Sequence, residues 1–199
     1  MKKITFFIVC LLIGLFSFGQ TTVTIGTGIL SATSANGSPV YRSSAASAFN
    51  FSQSVELLTP ADLSAAGITA GSTITKIAYK KLNDFTLSAG RTATMRIYMK
   101  NSSTTALGTT TNFAAYTTGS TLCYDNAAYS NTDLPAVAGW VEFNFGTPFN
   151  YTGGSIEVGI DFAINAGRGN PSDGACAWEY TTVTASQAAG ISNGVAITG

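Results

Sequence analysis

Apolar and polar residues alternate with a period of two over much of this chain. In a β-strand, residues two apart lie on the same face, so such alternation predicts strands with one buried face. The apolar positions are Met95, Ile97, Met99, Val141, Phe143, Phe145, Ile156, Val158, Ile160 and Phe162. Weaker strand signals cover Val23–Ile25, Phe49–Leu57, Ile74–Leu82, Thr121–Tyr124, Cys176–Tyr180 and Val195–Ile197. Short strands separated by turn-rich segments predict an antiparallel β-sandwich.

One short surface helix interrupts the strands, over about residues 60–66. Thr59 is a good N-cap, Pro60 fits the first helical position, and the Asp62 carboxylate meets free backbone amides. Gly67 can end the helix. The remaining Gly-, Ser-, Thr- and Asn-rich stretches are predicted to be loops, namely Gly26–Ser47, Asn101–Ser120 and Gly167–Gly174.

The first nineteen residues have the pattern of a secretory signal peptide. Lys2 and Lys3 precede the apolar run Phe6–Phe16, and small residues come before Gln20. A membrane anchor is the alternative, but such a run spans only about 20 Å as a helix, less than the ~30 Å of the hydrocarbon core. Lipidation at Cys10 is disfavoured because more apolar residues follow it. We therefore expect a secreted or cell-surface protein with one domain over residues 20–199 and no membrane span after cleavage.

The remaining composition excludes one class of partner. Ten basic residues less Lys2 and Lys3 leave eight against ten acidic ones, a net charge of about −2 without runs of like charge. Nucleic-acid binding needs clustered Lys and Arg, so it is not expected. Charged residues make up only 10% of the chain, which predicts a surface built of hydroxyls and amides.

Two cysteines remain after signal cleavage, Cys123 and Cys176. An exported compartment permits their oxidation, so a single disulfide is predicted, with two separate buried thiols as the alternative. A structural zinc site is less well supported because it needs four ligands and the chain has no histidine.

Several segments resemble an amino-terminal module of large secreted and surface proteins of Bacteroidota. The matching segments are residues 23–28, 52–58, 63–71, 74–78, 95–100, 139–140, 147–153 and 156–158. The resemblance implies a jelly-roll-like β-sandwich on cargo of the type IX secretion system, without established catalytic residues. Members commonly continue into fibronectin type III repeats and a sorting domain. Because this sequence ends at Gly199 in a predicted strand, we expect a domain truncated at its C-terminal end or a fragment of a longer protein.

The residue types argue against an enzyme. Without histidine, Ser-His-Asp and Cys-His arrangements cannot form. A glycosidase would need two facing carboxylates, yet Glu142, Glu157 and Asp161 lie on the outward parity of their strands and are predicted to be solvated. The glycines at 26–28 and 167–169 lack the Lys-Ser/Thr pair of a phosphate loop and are predicted to form turns.

A calcium site is a candidate on one loop, which carries Asp125, Asn126, Asn131 and Asp133. Hard oxygen ligands at this density suit Ca²⁺ outside the cell. The alternative is that these side chains cap turns, as Asp and Asn commonly do.

Aromatic residues are the remaining binding candidates. Trp178 and Tyr180 lie on one strand face beside a polar loop that carries Arg168, Asn170 and Asp173. Trp140 lies on the outward parity of its strand. Flat rings flanked by polar groups suit a sugar, because the ring stacks on its apolar face. The alternative is that Trp140 closes the end of the sandwich and the Trp178 face is core.

Three functional classes follow from these observations. The first is a non-catalytic module for adhesion or recognition, with an extracellular glycan or a protein surface as partner. The second is a structural spacer or assembly subunit that pairs through an edge strand with neighbouring domains. The third is an accessory domain of a larger secreted hydrolase. The hydroxyl-rich composition and the aromatic candidates favour the first.

Overall fold

The chain folds into a two-sheet antiparallel β-sandwich in a computed structural model. The model describes residues 20–26, 28, 30–32, 43–44, 47–48, 51–87, 90–108, 112–164, 176–181 and 187–192. The signal peptide with Cys10, the loop Gly167–Gly174 and the strand Val195–Ile197 lie outside these residues, so they stay predictions. No helix within the described ranges is long and apolar enough to cross a membrane.

Eleven strands and two short helices make up the described fold. In chain order they are β1 Leu30–Ala32, β2 Ser43–Ser44, β3 Ser47–Ala48, β4 Phe51–Leu58, α1 Pro60–Ala65, β5 Thr73–Lys81, β6 Ala93–Ser102, α2 Phe113–Thr117, β7 Thr121–Tyr129, β8 Gly139–Asn150, β9 Ser155–Ile164, β10 Trp178–Tyr180 and β11 Gln187–Ser192. One sheet has the order β1-β10-β5-β8, the other has the order β11-β4-β9-β6-β7, and β2 pairs with β3.

The strand pairs are nested along the chain. Strand β6 pairs with β9, β5 with β10 and β4 with β11, all antiparallel, while β7 packs against β8. In such a nested order, strands near the two ends of the chain pair with each other and strands near its middle pair with each other, as they do in a jelly roll. The predicted antiparallel β-sandwich is therefore confirmed.

The core lies between the two sheets and follows the predicted alternation. Inward residues on β6, β8 and β9 are buried, among them Met95, Ile97, Met99, Val141, Phe143, Ile156, Val158, Ile160 and Phe162. Phe143 lies at the centre, because the rings of Tyr79, Tyr124 and Tyr129 all pack against it. This packing joins the two sheets, since β5 and β8 belong to one sheet and β7 to the other.

Helix α1 forms where its capping residues predict it. The Thr59 side chain accepts a hydrogen bond from Asp62 N, and the Asp62 carboxylate accepts one from Thr59 N at 3.0 Å. Both bonds satisfy amides that the first turn leaves free. Leu63, which is fully buried, anchors the helix on the core.

Three local predictions are wrong. Residues Val23–Ile25 form no strand, although Ile25 packs against the core. The predicted loop Gly26–Ser47 contains the short strands β1 and β2 and the start of β3. The predicted loop Asn101–Ser120 contains α2, whose N-cap Asn112 accepts a hydrogen bond from Ala115 N at 3.1 Å. Helix α2 has no apolar periodicity, because a single buried side chain, Phe113, attaches it to the sheet.

Candidate functional site

Trp178 is a core residue and not the sugar-stacking ring that the sequence offered as a candidate. Its side chain is 1% exposed, and it packs edge-on against Tyr79 with the ring centroids 6.4 Å apart. A ring without solvent contact cannot stack on a ligand at the surface. Tyr180, two residues on, is 36% exposed at the end of β10. The polar residues predicted beside them, Arg168, Asn170 and Asp173, lie outside the described residues.

Trp140 is the most exposed aromatic side chain of the described residues, at 52%. It lies on the outer face of the four-stranded sheet, where β8 also presents Glu142 and Asn144 to solvent. The neighbouring strand β5 places Lys80 opposite Trp140. The prediction of an outward Trp140 is confirmed, and the alternative that it closes the end of the sandwich is wrong.

We call this surface the Trp140 face. It comprises Lys76, Ala78 and Lys80 of β5, Trp140, Glu142 and Asn144 of β8, and Glu179 of β10. The register sets Lys80 opposite Trp140, Ala78 opposite Glu142 and Lys76 opposite Asn144. Opposite side chains on such a pair are about 5 Å apart at Cβ, so all these groups can meet one ligand. The small side chain of Ala78 leaves a shallow floor between the two lysines.

Two ion pairs flank the tryptophan. Lys76 Nζ lies 2.8 Å from Glu142 Oε1, and Lys80 Nζ lies 2.8 Å from Glu179 Oε2. The side chains remain partly exposed, so each pair contributes only about 0.5 kcal/mol to stability. Their main effect is on orientation: the pairs hold charged donors and acceptors beside the indole ring.

The amino-terminal segment borders this face. Gly28 N donates to Thr181 Oγ1 at 3.0 Å, and a Cβ at Gly28 would lie 2.2 Å from Glu179 Oε1. Gly28 also has a φ of +56°, which glycine adopts more readily than other residues. The absence of a side chain at Gly28 therefore leaves room for the Glu179 carboxylate to reach Lys80.

Behind the face, Lys81 holds two loops together. Its side chain is 1% exposed, and Nζ donates to the carbonyls of Phe85 at 3.1 Å, Ala136 at 3.1 Å and Pro135. Burial lowers the pKa of Lys81, while Cys176 and Asp84 oppose that shift. Three carbonyl acceptors suit the three protons of an ammonium group. Lys81 thus fixes the loop that leads into β8 and Trp140.

The four candidate calcium ligands do not lie on one loop, because Asp125 and Asn126 belong to β7, and all four side chains already have protein partners. Asp125 Oδ1 lies 3.0 Å from Arg96 Nε, and Asn126 Oδ1 accepts from Ala128 N. Asn131 Oδ1 accepts from Leu87 N at 2.7 Å, and Asp133 Oδ2 accepts from Ser130 N at 2.9 Å. No group of three acidic, Cys or His side chains within the described ranges is arranged to hold a metal ion. This arrangement supports the turn-capping alternative.

Cys123 and Cys176 do not form the predicted disulfide. Both are buried free thiols, one on β7 of the five-stranded sheet and the other just before β10 of the four-stranded sheet. Facing sheets lie about 10 Å apart, whereas a disulfide needs Cα atoms within about 7 Å. Burial raises the pKa of Cys123 to about 11 and that of Cys176 to about 12. Both thiols are therefore protonated near neutral pH.

The outer face of the five-stranded sheet differs because α2 covers its middle. Phe113 packs over Gly159, where a Cβ would meet the ring at 3.4 Å, and it contacts Tyr98 edge-on. Val55 and Leu57 are buried in the same cluster. A Cβ at position 159 would only touch the ring at ordinary van der Waals distance, so the helix lies directly on the sheet here.

Glu157 lies under this cover, so the prediction that it is solvated is wrong. It is 5% exposed, lies 3.0 Å from Lys100 Nζ and accepts from Ser102 Oγ at 2.6 Å. Lys100 Nζ also donates to the carbonyl of Tyr116 in α2. Glu142 is exposed as predicted, and Asp161 is half-buried between Gln53 and Arg96.

Sequence reasoning missed the lysines of the Trp140 face. Their signal was available, because Lys76, Ala78 and Lys80 alternate with the core-facing residues of β5. Which strand lies beside β8 could not be deduced from alternation, so the pairing of Lys80 with Trp140 required the fold.

No protein family, no curated protein and no solved structure matches this chain. The resemblance to the Bacteroidota module therefore stays a prediction. Function has to be inferred from the chain's own residues, and within the described ranges the Trp140 face is the candidate site whose geometry can be given.

Proposed function

We propose that this protein is a non-catalytic extracellular module for recognition or adhesion, and that it binds glycans through the Trp140 face. The observation that carries the proposal is the half-exposed indole of Trp140 on a flat sheet surface, flanked by Lys80 and Glu142. The flat apolar surface of an exposed indole suits stacking on a sugar ring. The adjacent ammonium and carboxylate groups can bond to hydroxyls.

The other residues of the chain support a protein that binds its ligand without catalysing a reaction. The sequence contains no histidine, and the two thiols are buried and protonated near neutral pH. The buried carboxylate Glu157 is already paired with Lys100. Secretion through the predicted signal peptide would expose the module to glycans outside the cell.

Assembly through an edge strand is less well supported at two of the four described edges, β7 and β8. Strand β7 ends its sheet, and its pairing with β6 is irregular in two places. Strand β8 ends the other sheet, contains Pro148, and shifts register between the pairs Ile74–Phe149 and Lys76–Asn144. Bulges and proline at an edge hinder the addition of another strand.

A glycan array probed with the whole protein tests the proposal. We expect binding that Trp140→Ala reduces at least about tenfold, the equivalent of about 1.4 kcal/mol. Tyr180→Ala is the matched control, because it removes an exposed aromatic ring outside the Trp140 face. Binding that survives Trp140→Ala, or the absence of binding to any glycan on the array, would overturn the proposal.

A further inference from the structure

The charged side chains of the Trp140 face cancel one another, and this indicates which glycans the face binds. Resting on the proposed function, we infer that the ligand is a neutral polysaccharide, without carboxylate or sulfate groups. The face carries two lysines and two glutamates, and each lysine lies 2.8 Å from one of the glutamates. The net charge of the face is therefore zero.

Zero net charge disfavours an acidic polysaccharide for a physical reason. A uronate or sulfate that approached Lys76 would also approach Glu142, and one that approached Lys80 would also approach Glu179. Attraction and repulsion then nearly cancel, so the face offers no long-range steering of a negatively charged chain. A site for such a chain would need lysines that are not paired.

The same groups suit hydroxyls. An ammonium has three protons and a carboxylate has about four lone-pair sites, so each ion pair leaves donors and acceptors free. Asn144, opposite Lys76, adds an amide that both donates and accepts. A sugar hydroxyl also donates and accepts, and it can bond to both members of a pair without separating them.

The dimensions of the face suit a linear chain. From Trp140 to Asn144 the strand extends about 13 Å, and the three strands span about 10 Å. A footprint of about 10 by 13 Å is the size of two to three sugar rings in a row. A polysaccharide lying along β8 would pass Trp140, Glu142 and Asn144 in turn, over the shallow floor at Ala78.

Binding to neutral and acidic polymers separates this inference from the proposed function. Probes are β-glucan, mannan and xylan as neutral chains, and polygalacturonate and heparin as acidic chains. We expect the best neutral polymer to bind about tenfold or more tightly than either acidic one, with little change as sodium chloride is raised. Trp140-dependent binding of acidic polymers alone would overturn this inference and leave the proposed function standing. Failure of every polymer to bind would overturn both.

The fluorescence of the native protein provides a readout that does not depend on a mutation. The chain has two tryptophans, of which Trp178 is buried and Trp140 is half-exposed. Acrylamide should therefore quench mainly Trp140. We expect a bound neutral polymer to protect that fraction from quenching, whereas binding without protection would place the ligand elsewhere and overturn the inference.

A variant that removes one negative charge tests whether the cancelling charges set the preference for neutral polymers. Glu142→Gln removes the partner of Lys76 and gives the face a net charge of +1. We expect the affinity for polygalacturonate to rise about tenfold and to become sensitive to salt. The matched control is Asp125→Asn, which removes an exposed carboxylate paired with Arg96 on the other sheet. Equal behaviour of the two variants towards polygalacturonate would overturn the inference.

Discussion

The outer faces of the two sheets differ in that one is covered by a helix and the other is exposed to solvent. On the five-stranded sheet, α2 covers the middle of the face, and the ion pair Lys100–Glu157 is largely withdrawn from water. On the four-stranded sheet, Trp140 and the pairs Lys76–Glu142 and Lys80–Glu179 remain at the surface. Similar residue types therefore serve stability on one face and are free to serve binding on the other.

The largest expected difference between the faces concerns their aromatic residues. Phe113→Ala should lower the free energy of unfolding by about 4 kcal/mol, because it removes a buried ring and leaves a cavity over Gly159. Trp140→Ala should lower it by less, about 1 kcal/mol, since the half-exposed ring packs on the sheet with only part of its surface. Urea unfolding of both variants checks this. Comparable losses would contradict the division into a covered and an open face.

Loss of a carboxylate should also cost more stability on the covered face than on the open face, but the difference should be smaller than for the aromatic residues. Glu157→Gln leaves Lys100 without its charged partner under α2 and should cost about 2 kcal/mol. Glu142→Gln removes an exposed acceptor and should cost less than about 0.5 kcal/mol. Thermal unfolding at neutral pH measures both. If Glu142→Gln proved the more damaging change, the open face would have a structural role.

Alkaline pH should lower the free energy of unfolding through the two buried thiols, one of which lies beneath each sheet. Burial raises the pKa of Cys123 to about 11 and that of Cys176 to about 12, from 9.0 for both. Above pH 9 the unfolded chain loses these protons first, so the free energy of unfolding falls as pH rises towards 11 to 12. The slope is up to about 1 kcal/mol per thiol for each pH unit.

The two thiols can be separated by mutation. Urea midpoints between pH 8 and pH 10.5 should decline less steeply in Cys176→Ala and in Cys123→Ala than in the native protein, by similar amounts, because both folded thiols stay largely protonated over this range. Cysteine-to-alanine variants that retain the full slope would assign the alkaline sensitivity to the buried tyrosines, whose pKa values burial also raises.

The smallest effect expected is the coupling within the exposed ion pair. A double-mutant cycle of Lys76→Ala and Glu142→Ala should give a coupling of about 0.5 kcal/mol that fades at high salt. The corresponding cycle for Lys100 and Glu157 should give a larger value that salt changes little, because the Glu157 carboxylate is shielded from solvent. Equal salt sensitivity in the two cycles would show that α2 does not exclude water from the covered pair.

Much of this architecture could be predicted, because alternation carries information on which face a side chain occupies. The inward residues of β6, β8 and β9 and the outward position of Trp140 follow directly from parity. Helix α1 was predictable from the local contacts of Thr59 and Asp62. Helix α2 was not, since its attachment depends on contacts between Phe113 and strands distant in the chain.

The alternation pattern led to wrong predictions where an outward position on a strand was taken to mean exposure to solvent. Glu157 has the outward parity that sequence analysis assigned to it, yet α2 and Lys100 bury it. Trp178 belongs to a strand of only three residues, and its burial arises from the packing of β10 against β5 and the neighbouring ring of Tyr79. Alternation distinguishes the two faces of a strand but not which face is covered.

The sequence by itself determined the longer strands of the core, their inward residues and one capped helix, because strand periodicity and helix capping act between residues close in the chain. Only the tertiary structure decided which outer face α2 covers, that Lys80 lies beside Trp140, and that the two cysteines stay apart on opposing sheets. Each of these depends on contacts between segments distant in sequence. Such contacts are set by the stacking of the two sheets and by the packing of Phe113 on β9 at Gly159, neither of which has a local signature in the sequence.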